Sequence, residues 1–213
     1  MRANTYCRLD NLYKNHRGYI STRALMDEGF TNRQIAVLAE EGYLEKVCHG
    51  YYWMIQEDYG KPHDYKCIEV CLSNPRAVIS MKSACFYQGI VKEEPEFLTV
   101  ATERTDRSRI KLNFPVERHF FSGSNFQIGL RNVKTEFGCY NMYDIERSIC
   151  DMIRLDYKNT DSGFVAEIMD PKRMKRGQYE RVLRYAQILN IKSIYDSGVF
   201  AGASLQDMRE DGD

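Results

Sequence analysis

The 213-residue chain is 43% hydrophobic and 28% charged, a balance that permits a packed core and excludes global disorder. Thirty Lys+Arg offset thirty Asp+Glu, so no overall basic excess draws the chain to nucleic acid and any phosphate attraction has to be local. Seven Cys without a CxxC pair argue against a disulfide framework. The absence of an N-terminal apolar stretch and of any run of about 18 apolar residues predicts a soluble, cytoplasmic protein with no membrane partner.

Taken in chain order, Tyr6, Leu9, Leu12 and Tyr13 recur at helical spacing and predict a first helix, closed by turn-forming residues 15–18. Ser21 or Thr22 is placed to cap a second helix, with Ala24, Leu25 and Met26 inward and Gly29 ending it. Thr31 caps a third helix over residues 32–41, whose inward face is Ile35, Leu38 and Ala39 and whose stop is Gly42. Residues 44–47 and 51–54 read as two strands joined by a tip at Cys48, His49 and Gly50.

Two capped helices joined by a short turn, followed by a hairpin, predict a winged helix-turn-helix over residues 1–58. In that arrangement the start of the second helix faces the major groove. The residues there are Asn32, Arg33, Gln34 and Val37. Arg pairs bidentately with guanine, and Asn or Gln with adenine. Arg23, Lys46, His49 and Tyr51 are the candidates for the DNA backbone or the wing. Against this, residues 1–60 hold seven basic and eight acidic side chains, which is weak electrostatics for a module binding alone. A winged helix that binds protein instead of DNA is the alternative.

A polar stretch over residues 56–64 reads as a linker, and residues 64–213 as a mixed α+β domain. Helices are predicted over residues 65–72, 80–87 and 143–155, with a C-terminal helix through Tyr179, Val182, Leu183, Ala186 and Leu189. Residues 77–79 form a short apolar run. Strands are predicted over 97–102, 116–121, 126–130 and 133–137. Two basic stretches could extend a DNA surface: Arg104, Arg107, Arg109 and Lys111, and then Lys172, Arg173, Lys175 and Arg176.

An enzyme needs a constellation. Asp144, Glu146 and Asp151 cluster in sequence, and metal-dependent nucleases use paired carboxylates. The plainer expectation is a helix cap at Asp144 and a solvated charged face. His63, Cys67 and Cys71, spaced by four, would stack on a continuous helix and could reach Cys48 or His49 to hold zinc. Their spacing matches no standard zinc module, and Cys is a common core residue. The expectation is therefore a non-enzyme without metal or cofactor.

The segments Gly18-Tyr-Ile-Ser-Thr-Arg-Ala-Leu and Gly29-Phe-Thr-Asn-Arg-Gln-Ile, with Leu38, Gly42-Tyr-Leu and Gly50-Tyr-Tyr, resemble the N-terminal domain of AbiEi-type antitoxins. Ala77-Val-Ile-Ser, Ser83-Ala, Pro95, Thr99-Val-Ala-Thr and Ile145-Glu-Arg-Ser-Ile-Cys-Asp are similar to that family's C-terminal domain. The resemblance covers roughly residues 6–155 and implies an antitoxin of an abortive-infection, type IV toxin–antitoxin system. Such a protein represses its own operon by binding promoter DNA. Its C-terminal domain antagonises a nucleotidyltransferase-like toxin, with or without direct contact.

Overall fold

A computed structural model describes residues 3–57, 59–156, 165, 168–169 and 174–192. It is a mixed α+β structure with two sheets. The described residues divide into two compact units. The first holds those up to Arg76 together with Ser108–Pro115 and Val133–Tyr140; the second holds Ala77–Arg107, Val116–Asn132 and those from Asn141 on.

The first unit opens with α1 (Ala3–Asn15), β1 (Tyr19–Ser21), α2 (Thr22–Asp27) and α3 (Asn32–Glu40). It continues with β2 (Leu44–Cys48), β3 (Tyr51–Met54) and α4 (Tyr65–Ser73). Ser21 caps α2, its hydroxyl accepting from Ala24 N–H at 3.1 Å. The strands form an antiparallel sheet in the order β1-β3-β2. One core unites Leu9, Leu12, Ile20, Leu25, Phe30, Ile35, Leu38, Leu44 and Met54. A second forms around Val47, Cys48 and Trp53, against which Tyr19, Tyr51, Tyr59, Leu72, Leu112 and Phe137 pack. Alternation along the strands separates the two, since successive side chains point to opposite faces.

The helices and the hairpin lie where the periodicity put them. Strand β1 was not expected: three residues are too few to show alternation, and pairing with β3 creates it. Met26 was expected inward but is 48% exposed, because the short α2 buries only Leu25. Gly18 has φ of +84°, and a Cβ there would lie 2.8 Å from the Phe137 ring and 3.3 Å from that of Trp53. Only glycine suits both the conformation and the space.

Helix α4, expected to open the second domain, clusters with the first unit. The reason is visible at Glu69, which is 1% exposed. Its Oε1 lies 2.7 Å from Lys61 Nζ and accepts from the Tyr19 hydroxyl at 3.1 Å. Lys61 also binds Glu45 of β2 at 2.7 Å. Ion pairs and hydrogen bonds therefore join the expected linker, α4, β1 and β2.

The second unit contains β4 (Val78–Ile79), α5 (Met81–Tyr87), β5 (Leu98–Glu103) and β6 (Val116–Phe121), then a 3-10 turn at Gly123–Asn125. Strands β7 (Leu130–Thr135) and β8 (Gly138–Tyr143) and helices α6 (Ile145–Asp156) and α7 (Arg176–Ile188) follow. Its sheet runs β6-β5-β4-β8-β7, with β5–β6 and β4–β8 parallel and β4–β5 antiparallel. The outer part of β7 and β8, Val133–Tyr140, clusters with the first unit. Helices α5, α6 and α7 share a core of Met81, Cys85, Ile149, Ile153, Val182 and Ala186, among others. Val78, Ala101, Phe121, Phe126 and Tyr143 form another.

The strand expected at residues 126–130 is instead a run of turns, and β7 begins only at Leu130. Phe126 is buried by packing beneath Tyr143, not by strand alternation.

Candidate nucleic-acid interface

Thr31 and Gln34 set the start of α3. Thr31 Oγ1 accepts from Gln34 N–H at 3.3 Å, and Gln34 Oε1 accepts from Thr31 N–H at 2.9 Å, a reciprocal capping box. Gln34 Nε2 then donates to the buried Thr5 hydroxyl of α1 at 2.9 Å. The Gln34 amide is spent on the fold, so it leaves the set of base readers proposed from sequence. Thr5 stands 29 residues away, and nothing in the local pattern marks it as a partner.

Asn32 and Arg33 are exposed on the same first turn, and Val37 is half-buried. Ala36 is also exposed, offering a small apolar contact that the sequence reading missed. Among the described residues, the side chains of Arg33, Arg23, Lys46 and His49 make no ion pair or hydrogen bond. All four are exposed.

The turn between α2 and α3 is braced from α1. Arg8 Nη1 donates to Gly29 O at 2.7 Å, and its guanidinium stacks over Phe30, 5.7 Å from the ring centroid. The tip of the β2–β3 hairpin is short. Gly50 O accepts from Thr22 N–H at 2.8 Å, which ties the tip to the start of α2. Tyr51 packs half-buried against the Cys48 and Trp53 cluster, so its ring is a core contact more than a wing.

Burial pushes the Glu69 carboxyl up from its ordinary value, against the pull of Lys61. Burial draws the Lys61 ammonium down, but its bonds to Glu45 and Glu69 prevail and raise it. Lys61 is thereby held as a cation inside the fold, committed to its two carboxylates.

The basic stretch at residues 104–111 is split between the units. Arg104 and Arg107 belong to the second unit, Arg109 and Lys111 to the first. All four are exposed. In the later stretch, Arg176 pairs with Glu180 at 3.2 Å, which offsets part of the charge counted from sequence. Lys175 precedes α7, its N–H donating to Gln178 Oε1. Lys172 and Arg173 lie outside the described residues.

The expectation of a solvated face at Glu146 and Asp151 is corrected. Glu146 is 2% exposed, Arg147 1% and Asp151 0%. Asp151 accepts from Arg147 at 2.9 Å and from Arg154 at 3.0 Å. Glu146 accepts from Arg181 at 2.7 Å. Asp144 does cap α6: Oδ1 accepts from Arg147 N–H, and Oδ2 from the Tyr185 hydroxyl. Burial raises the pKa values of Asp144 and Asp151. These carboxylates are spent on arginines, a helix end and a tyrosine, which leaves the nuclease reading without a free acidic pair.

His63 is exposed and precedes α4, so the continuous helix needed to stack it on Cys67 and Cys71 does not reach it. Among the described residues, no group of three His, Cys, Asp or Glu could hold a metal ion. Nor is any helix among them long and apolar enough to cross a membrane.

No family model matches the chain. No curated protein matches it either. Among solved structures it is similar to the Rv2827c protein from Mycobacterium tuberculosis, with a TM-score of 0.63 and 12% identity, over 88% of this chain and 72% of that one. At that identity the likeness concerns the fold alone.

Proposed function

We propose that the N-terminal elements form a winged helix-turn-helix that reads duplex DNA, and that the chain is an autoregulating antitoxin of the AbiEi type. The observation that carries the DNA reading is the first turn of α3. Asn32 and Arg33 project from it without a described partner, while Gln34 and Arg8 fix the turn that presents them. The element order and the β1-β3-β2 sheet are consistent with this module. Arg33 is assigned to guanine and Asn32 to adenine, with Arg23, Lys46 and His49 on phosphates.

The antitoxin role rests on the resemblance in the sequence. Its functional partner is a nucleotidyltransferase-like toxin, and its place of action is the cytoplasm. The reading needs no cofactor and no catalysis.

The test is binding of the full chain to duplex DNA from upstream of its own gene, against a scrambled duplex. Specific, salt-sensitive binding that is lost in Asn32→Ala with Arg33→Ala is the expected result. Specific binding that survives the double substitution overturns α3 as the reader. Co-expression with an adjacent nucleotidyltransferase-like reading frame tests the second role: growth rescue supports it, and undiminished toxicity refutes it.

A further inference from the structure

Helix α3 turns Ile35 and Leu38 into the core of the first unit, with Gln34 and Ala39 half-buried beside them. At about 3.6 residues per turn, the opposite side carries Arg33 and Glu40, two turns apart, with Ala36 and Val37 flanking the line between them. Arg33, Ala36 and Glu40 are exposed and Val37 is half-buried. Neither Ala36 nor Val37 is among the side chains packed in the core beneath the helix. The middle of the outward stripe is therefore apolar, and it holds no long side chain. Ala36 ends at its Cβ, so the helix backbone can approach closely whatever the stripe meets.

The chemistry of the stripe selects among base edges. Ala36 and Val37 have no side-chain donor or acceptor. An amino or keto group pressed against them would lose its water without gaining a partner, which is unfavourable. A methyl group carries no such penalty, and in the major groove the thymine 5-methyl is the apolar mark that distinguishes the four bases. The far end of the stripe differs. Among the described residues, the Glu40 side chain makes no ion pair or hydrogen bond. A free carboxylate there is repelled by phosphate, so the Arg33 end enters the groove deepest and the Glu40 end stays towards its rim.

We propose that Ala36 and Val37 read a thymine 5-methyl group one or two base pairs from the guanine assigned to Arg33. The proposal rests on the DNA reading above and names what the middle of α3 recognises. The spacing follows from the helix: one turn advances about 5 Å, against about 3.4 Å between base pairs. Arg33 supplies the polar half of the readout and the apolar pair supplies the rest. The pair selects thymine as much by leaving other base edges unsatisfied as by contact with the methyl.

The test measures affinity of the full chain for three duplexes: the one from upstream of its gene, the same sequence with deoxyuridine in place of every thymidine, and a scrambled one. Deoxyuridine pairs as thymidine does and lacks only the methyl. Its use should weaken specific binding about fourfold for each contacted methyl. Ala36→Ser with Val37→Thr keeps the side-chain sizes and adds hydroxyls. This variant should bind the thymidine and deoxyuridine duplexes equally, and its melting temperature reports that it is folded. Equal affinity of the wild type for those two duplexes, with specific binding intact, overturns the thymine reading and keeps the DNA reading. A loss on deoxyuridine that persists unchanged in the folded variant places the methyl contact elsewhere and also overturns it. Equal binding of upstream and scrambled duplexes by the wild type sinks the DNA reading itself, and this proposal with it.

Discussion

Arg147 donates its Nε–H to Asp151 Oδ2 at 2.9 Å, one turn later in α6, and neither side chain is more than 1% exposed. The guanidinium also donates to Asn125 O at 2.8 Å and Ile128 O at 2.9 Å, and lies over the Tyr143 ring at 4.5 Å. One side chain thus satisfies the carbonyls of the turn before β7 and the carboxylate of its own helix. Arg147→Met leaves Asp151 buried with only Arg154 and frees two carbonyls. It should cost about 3–5 kcal/mol in urea unfolding. Adding Asp151→Leu should recover part of that loss, because the buried charge is removed with its partner.

Gly129 supports the same network from the backbone. Its φ is +75°, and a Cβ would lie 2.6 Å from Arg147 Cβ and 2.8 Å from Asp144 Oδ1. Its carbonyl accepts from Asp144 N–H at 2.8 Å. Gly129→Ala should destabilise by about 2–5 kcal/mol, combining left-handed strain with overpacking. A melting temperature equal to wild type would show that the turn can yield.

Gln34 and Arg33 are neighbours with opposite assignments. Gln34→Ala removes a capping acceptor and the partner of Thr5, and should cost about 1–3 kcal/mol of stability. Gln34→Glu, which keeps the acceptor and suits a helix start, should restore part of it. Arg33→Ala should change stability by less than about 0.5 kcal/mol. It should nevertheless remove about 1–3 kcal/mol of discrimination between the upstream and scrambled duplexes. Thermal melts and binding titrations on the same preparations separate the two effects.

Tyr13 gives the protein an alkaline weakness. Its hydroxyl donates to Tyr43 O at 2.5 Å. Burial, reinforced by Tyr43 and Asp10, pushes its pKa up from 10.0 to about 12. The unfolded chain ionises first, so it binds fewer protons than the folded chain between about pH 10 and 12, and stability falls as pH rises through that window. The stability difference between wild type and Tyr13→Phe should be constant below about pH 10 and shift against the wild type by about pH 12. A pH-independent difference would place the phenol outside this linkage.

Periodicity and capping residues determined much of the local structure. Tyr6, Leu9, Leu12 and Tyr13 marked α1, the pair Ser21 and Thr22 marked the start of α2 without deciding which of them caps it, and Thr31 marked the start of α3. These signals are readable because a helix buries one stripe and its first N–H groups need acceptors. The exposed Asn32 and Arg33 were legible for the same reason: the cap sets where the first turn begins.

Tertiary structure alone decided what each polar side chain does. Gln34 and Arg33 are adjacent and both can hydrogen-bond a base, yet Thr5 from α1 claims the first and leaves the second outside. The run Glu146, Arg147 and Asp151 looks like a solvated face, but arginines from α6 and α7 and carbonyls from the turn before β7 bury it. The basic stretch from Arg104 to Lys111 is continuous in sequence, and only the anchoring of Leu112 and Asn113 separates Arg109 and Lys111 from the rest. Propensity and periodicity act within a few residues, whereas burial and pairing depend on partners tens of residues away. A charged side chain's role is therefore set by which element covers it, and that is a property of the fold.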